Sequence, residues 1–334
     1  MPSLTRDEAQ ARASLIDVES MEVDLDLTTS STTFESDTQI VFRAAAGEPT
    51  FVDLKAVDVH EVELNDVALD PATVVDGRLP ITPDEGRNTL RVRATMPFSN
   101  DGQGLHRSVD PEDHREYVYG HLFLDAAPKV FACFDQPDLK APYTVTVRAP
   151  EEWIVTGNGD PLHEGGGQWR LATTKPLSTY FVTVCAGPYV QQRDTWRGPD
   201  GQVVPLVLHA RASLAEELAA QAPQMFEVTR QCMSYFHELF GIDYPFGEYH
   251  QIFVPEFNAG AMENPGCVTF RDQFVFQGAI TRQGLLSRTN TIAHEMAHMW
   301  FGDLVTPVWW DDLWLNESFA EYMAHRACVA ATEF

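Results

Sequence analysis

Long apolar runs are missing from this sequence. No stretch approaches the ~20 consecutive apolar residues that a membrane-crossing helix requires, so no membrane partner is expected. The opening residues, Met1-Pro2-Ser3-Leu4-Thr5-Arg6-Asp7, carry neither the basic start nor the apolar stretch of a signal peptide. Cysteine is scarce: Cys133, Cys185, Cys232, Cys267 and Cys328 are five, odd in number and scattered. That pattern fits reduced thiols better than a disulfide framework, so a cytoplasmic location is expected. Positive charge is also in short supply, with 23 Lys and Arg against 49 Asp and Glu and a net charge of −26. Nucleic-acid binding needs basic patches and is excluded, whereas cationic ligands are favoured. The glycine runs Gly157-Asn158-Gly159 and Gly165-Gly166-Gly167 lack the Lys-Ser/Thr pair and following helix of a phosphate-binding loop. They read as hairpin turns.

What is present is enough for a sizeable core: 334 residues, 44% of them hydrophobic. Two domains are expected from that length. Residues 3–18 read as a short helix. From Met21 to about Val190 the signal is mostly strand, as in the strict alternation of Asn88–Thr95 and the β-branched and aromatic runs Tyr143–Arg148 and Thr179–Val184. These features predict an antiparallel β domain over residues 1–193. The polar, turn-rich stretch from Arg193 to Gly201 is the expected boundary. Beyond it the pattern predicts a strand over Val203–His209 and a long helix opened by a capping box at Ser213-Leu214-Ala215-Glu216. That helix stops at Gly241, with Pro223 a point of bending. Further helices are predicted near 281–301 and 316–330, so residues 194–334 form an α+β domain.

The most informative motif lies on the first of these late helices, at His294-Glu295-Met296-Ala297-His298; eighteen residues intervene between His298 and Glu317. Residues four apart share one helix face, roughly 5–6 Å apart at Cβ. His294 and His298 can therefore share one metal ion, while Glu295 reaches a metal-bound water as general base. Glu317, on the second helix, is the best third ligand. Glu321 lies on the same face as Glu317, one turn on, and is a candidate to accept the proton of a ligand imidazole. Asp312 is its rival, and a solvated or structural carboxylate remains an equal alternative for both. Trp300, Trp309, Trp310 and Trp314 read as packing around these helices.

Upstream stands Gly260-Ala261-Met262-Glu263-Asn264, and between the helices runs Val305-Thr306-Pro307-Val308-Trp309-Trp310-Asp311-Asp312-Leu313-Trp314. Together with the histidine motif, and with Cys133-Phe134-Asp135-Gln136-Pro137-Asp138-Leu139-Lys140-Ala141 in the first half, these resemble the aminopeptidase N family of zinc aminopeptidases. The resemblance implies a multi-domain fold: an N-terminal antiparallel β domain followed by the N-terminal part of a thermolysin-like catalytic domain. It implies one zinc ion per chain held by His294, His298 and Glu317, with Glu295 as base. It also implies that Gly260, Ala261, Met262, Glu263 and Asn264 bind peptide substrates with a free N-terminus, Glu263 taking the α-amino group. The family's catalytic tyrosine and C-terminal domains lie beyond Phe334, so this chain alone is expected to bind zinc but to be weakly active or inactive. The alternative is a non-catalytic binding module that keeps the fold. One departure stands in the first half. Phe123 occupies the place of the family's Gln or Glu that faces the substrate amine, and Asp125, two residues on, is the expected substitute if the segment is a strand.

Overall fold

A computed structural model describes residues 3–334. They divide into two compact units, one taking in residues up to 107, 119–155 and 161–184, the other 108–118, 156–160 and 185–334.

The first unit opens with helix α1 (Arg6–Leu15). The Thr5 hydroxyl accepts from the Glu8 amide while the Glu8 carboxylate accepts from the Thr5 amide, a capping box at the head of this 10-residue helix. The helix is shorter at its C-terminal end than the sequence reading of 3–18, because Ile16, Asp17 and Val18 alternate buried and exposed and start the strand Ile16–Asp26. That strand is central to an eight-stranded sheet. It pairs antiparallel with Thr33–Ala44 on one side but parallel with Tyr143–Arg148 on the other, so the sheet is not purely antiparallel. Gly86–Pro97 extends the sheet with Asn88, Leu90, Val92, Ala94 and Met96 inward and Arg91 and Arg93 outward. Asp76 and Gly77 both take positive φ, 50° and 75°, and close a tight turn between Val75 and Arg78.

The Thr179–Val184 run departs from its expected strand. Thr179–Phe181 is a 3₁₀ turn, and regular strand begins only at Val184, running to Gly187. Residues 177–187 are almost all buried, so alternation carries no information there. Their side chains make the anchoring bonds: the Ser178 hydroxyl donates to the Pro137 carbonyl and the Thr179 hydroxyl to the Asp135 carboxylate. The Cys133–Ala141 motif is thereby built into the unit. Gln136 accepts from Arg12 Nε at 2.6 Å, and Arg12 meets Asp53 at 2.7 Å, all three enclosed.

In the second unit a five-stranded mixed sheet runs in the order Val190–Arg197, Val203–Ala210, Tyr249–Val254, Cys267–Arg271, Ala261–Met262. Arg193–Arg197, read as the start of a linker, is the latter half of the first of these strands. Trp196 is what fixes it there, buried opposite Val204 with its indole donating to Ser234 Oγ at 2.8 Å. Helix α2 (Ala215–Phe240) continues through Pro223 and ends at Gly241, whose φ of 62° is the left-handed cap expected of glycine. Its start departs from the sequence reading. No side chain caps it, because the Ser213 hydroxyl donates instead to the Asp110 carboxylate. Helices α3 (Arg282–His298) and α4 (Leu313–Ala331) complete the unit. Leu218, Met225 and Phe236 of α2 share one core with Ile292 and Met296 of α3 and with Ala320 and Met323 of α4. Trp300 joins that core, but Trp314 stands 64% exposed, so the tryptophans are not uniformly packing residues. No helix among the described residues is long and apolar enough to cross a membrane.

Two buried histidines on adjacent strands form a polar thread through this sheet. His209 Nε2 meets His250 Nδ1 at 2.8 Å, and His250 Nε2 meets Glu248 Oε2 at 2.9 Å. Burial, reinforced by His250 and Arg193, pushes the His209 pKa well below its ordinary 6.5. The folded chain therefore binds that proton less readily than the unfolded chain. The stability His209 secures is complete above about pH 6.5 and is lost as the pH falls below it. Urea titrations at about pH 7.5 and about pH 5.5 are expected to show a drop on acidification that His209→Gln reduces. An equal drop in the variant would show that His209 is not its source.

Candidate metal centre

Helix α3 is started by Thr281, whose hydroxyl accepts from the Gly284 amide. It buries Ile292, Ala293, Met296 and Ala297 completely. With that face inward, the flanking positions His294 and His298 fall toward α4, which packs alongside α3. Helix α4 presents Glu317 in its second turn and buries Ala320, Ala324 and Ala327 against the core. Small residues on both helices let their axes approach closely.

Three side chains meet in the space between. His294 Nε2 and His298 Nε2 are 3.0 Å apart, and Glu317 Oε2 lies 3.4 Å from the first and 3.6 Å from the second. Ligands at zinc bond lengths around a tetrahedral ion stand roughly 3.3–3.6 Å from one another. The far nitrogens are both committed. His294 Nδ1 meets Glu321 Oε2 at 3.0 Å. His298 Nδ1 meets the Phe301 carbonyl at 3.2 Å and Asn316 Oδ1 at 2.9 Å. Acceptors at both Nδ1 atoms place the proton there in the neutral rings and leave a lone pair on each Nε2. Two lone pairs and a carboxylate facing inward call for a cation, and the donor set of two imidazoles and one carboxylate suits zinc. The residues therefore fit the ion.

Glu321 thus occupies the place expected for a proton acceptor of a ligand ring, and Asn290 and His325 also bond to its carboxylate. Asp312 does not. It is exposed at the start of α4, and the second imidazole is served by Asn316. Asn316 was missed in the sequence. The one clue was its position immediately before Glu317, which places it on the same first turns of α4.

Two more carboxylates line the centre. Glu295 and Glu263 are each 5% exposed, and Glu295 Oε2 and Glu263 Oε1 have no hydrogen-bond partner. Glu263 Oε1 stands 4.0 Å from His298 Nδ1. Burial raises the pKa of both acids, that of Glu295 well above the ordinary carboxylate range, with repulsion from neighbouring glutamates adding to it. Glu317 goes the other way. Burial opposes its ionisation, but His294 and His298 outweigh that and hold it at about 2. Burial likewise disfavours the charged form of His298, yet Glu263 and Glu317 carry it up to about 9.

The Gly260–Asn264 segment reaches this centre as the last strand of the sheet. Ala261 and Met262 pair with Phe270 and Thr269 on one side only, so their other edge is unpaired within the sheet. Gly260 faces open space where a side chain would be. Asn264 is fully enclosed and donates to Thr269 Oγ1, so its side chain holds the turn. Phe123 and Asp125 are not on a strand. The strand Glu116–His121 ends before them and residues 123–126 form a turn, so face alternation does not relate them. The Asp125 carboxylate is 72% exposed, 3.6 Å from Lys55.

Comparison with known proteins matches residues 18–181 to the peptidase M1 N-terminal domain and residues 224–333 to the peptidase family M1 domain. The chain belongs to peptidase family M1. Among M1 relatives it is 49% identical to aminopeptidase N of Streptomyces lividans, over 98% of this chain and 38% of the relative. It is 35% identical to aminopeptidase Ey of Gallus gallus over 71% of this chain. It is 30% identical to the tricorn protease-interacting factor F2 of Thermoplasma acidophilum over 81%. The chain spans 25–38% of the length of these relatives.

If Glu321 fixes the ring of His294, Glu321→Ala is expected to weaken zinc binding roughly 10–100-fold without abolishing it, measured by chelator competition. An unchanged affinity would make Glu321 a bystander.

Proposed function

We propose that His294, His298 and Glu317 hold one zinc ion per chain, and that this chain carries the metal, base and amine-recognition elements of an aminopeptidase acting on peptide N-termini. The observation that carries this reading is the pair of imidazole Nε2 atoms 3.0 Å apart, both with their opposite nitrogens committed to acceptors, beside a carboxylate oxygen. Supporting it are the naming of the relatives and the M1 family membership.

Zinc, when bound, polarises a scissile carbonyl and acidifies a nearby water. Glu295 is suited to take the water's proton and hand it to the leaving amine. It lies next to His294 in the sequence and its Oε2 has no other partner. Glu263 offers an orphaned oxygen to an α-ammonium group, a charge-assisted bond strengthened by enclosure. The unpaired edge of Ala261–Met262 receives the peptide main chain as an added strand. Together, amine and strand contacts set how far the peptide enters and restrict cleavage to one residue per turnover.

The test is a zinc titration of the purified chain, followed by assay on an aminoacyl anilide with its amine free and with it acetylated. We expect one zinc per chain, lost in His294→Ala, and weak hydrolysis confined to the free amine. Glu295→Gln should lower the rate roughly 10²–10⁴-fold. Zinc binding accompanied by hydrolysis indifferent to Glu295 would leave a binding module in place of a peptidase.

A further inference from the structure

Gly302 lies in the turn after α3, at a φ of +133°. A Cβ built on it would stand 2.5 Å from Asn316 Oδ1, 3.1 Å from Asn316 Cγ and 3.0 Å from His298 Nδ1. The atoms it would strike are therefore the two that make the Asn316–His298 hydrogen bond. Asn316 is 2% exposed and its Nδ2 has no hydrogen-bond partner, so the side chain is in place for its oxygen alone. The Phe301 carbonyl, one residue before Gly302, accepts from the same ring nitrogen, which settles the polarity: Nδ1 donates, and the Asn316 oxygen must face it.

We propose that Gly302 and Asn316 act as one positioning unit for the metal centre. The missing side chain at 302 admits the Asn316 carboxamide to His298 Nδ1, and that bond turns the ring so that Nε2 faces Glu317 and His294. Asn316 and Glu317 are consecutive on α4, so the helix that delivers the carboxylate ligand also orients the imidazole across from it. The proposal rests on the zinc assignment above and goes beyond it, since none of the three ligands is altered.

The experiment measures zinc affinity by chelator competition, alongside the melting temperature of the metal-free protein, in Gly302→Ala, Asn316→Ala, Asn316→Asp and the double variant Gly302→Ala/Asn316→Ala. Each of the first two should weaken zinc binding roughly 10–100-fold. Asn316→Asp keeps an acceptor in place and should bind near wild type. In the double variant the new methyl has no carboxamide to strike and meets only His298 Nδ1 at 3.0 Å, so the combined loss of zinc affinity should be smaller than the sum of the two single losses. A merely structural glycine would instead give effects on affinity that add. Wild-type affinity in Gly302→Ala, or additive losses, would overturn the proposal. If Gly302→Ala does not fold, equal losses in Asn316→Ala and Asn316→Asp would overturn it, since only the first lacks the acceptor. A wild-type chain that takes up no zinc, or keeps it in His294→Ala, refutes the ligand assignment. Retention of zinc by Gly302→Ala, with loss in His294→Ala, refutes the positioning unit alone.

Discussion

Two ring nitrogens pressed to 3.0 Å beside a carboxylate form an arrangement that calls for a shared cation, and the second unit is organised to hold it. Each outer nitrogen is tied to a different anchor, Glu321 for one ring and Asn316 with the Phe301 carbonyl for the other. Those anchors depend on α3 and α4 lying close, which the buried alanines at 293, 297, 320 and 324 permit. The helices in turn stand on the core shared with α2. Packing of this kind is largely apolar and non-directional, yet it fixes polar atoms to within tenths of an ångström because interiors are close-packed.

Electrostatics separates three glutamates that are chemically identical in the unfolded chain. Enclosure raises Glu263 and Glu295, whereas contact with both imidazoles drives Glu317 down to about 2. Groups pushed apart in this way take different work, one ionised enough to ligate and another ready to carry a proton. The separation arises from placement: Glu317 lies 3.4 and 3.6 Å from the two ring nitrogens, whereas Glu295 Oε2 is enclosed with no hydrogen-bond partner.

Much of this was legible beforehand, for reasons that can be given residue by residue. His294, Glu295 and His298 follow from helical spacing alone, and Glu317 from a second helix nearby. The turns at Asp76-Gly77 and Gly165-Gly167 and the stop at Gly241 follow from positive φ. The failures share a cause: a side chain bonded to something far away in sequence. Ser213 looked like a helix cap but serves Asp110, more than a hundred residues earlier. Thr179 looked like a strand residue but is pinned by Asp135. Asn316 gave no sign of its bond to His298, and Asp312 drew attention only because it was acidic and close in sequence. Alternation also fails where both faces are enclosed, as across residues 177–187.

The free strand edge beside the metal centre is only two residues long, Ala261 and Met262. Bare edges of greater length invite neighbouring molecules to stack on them, and proteins commonly guard against this by keeping them short. So small an edge leaves a few main-chain groups open yet is too short to seed a fibril. Exposed main-chain groups and resistance to clumping thus coexist through the same brevity.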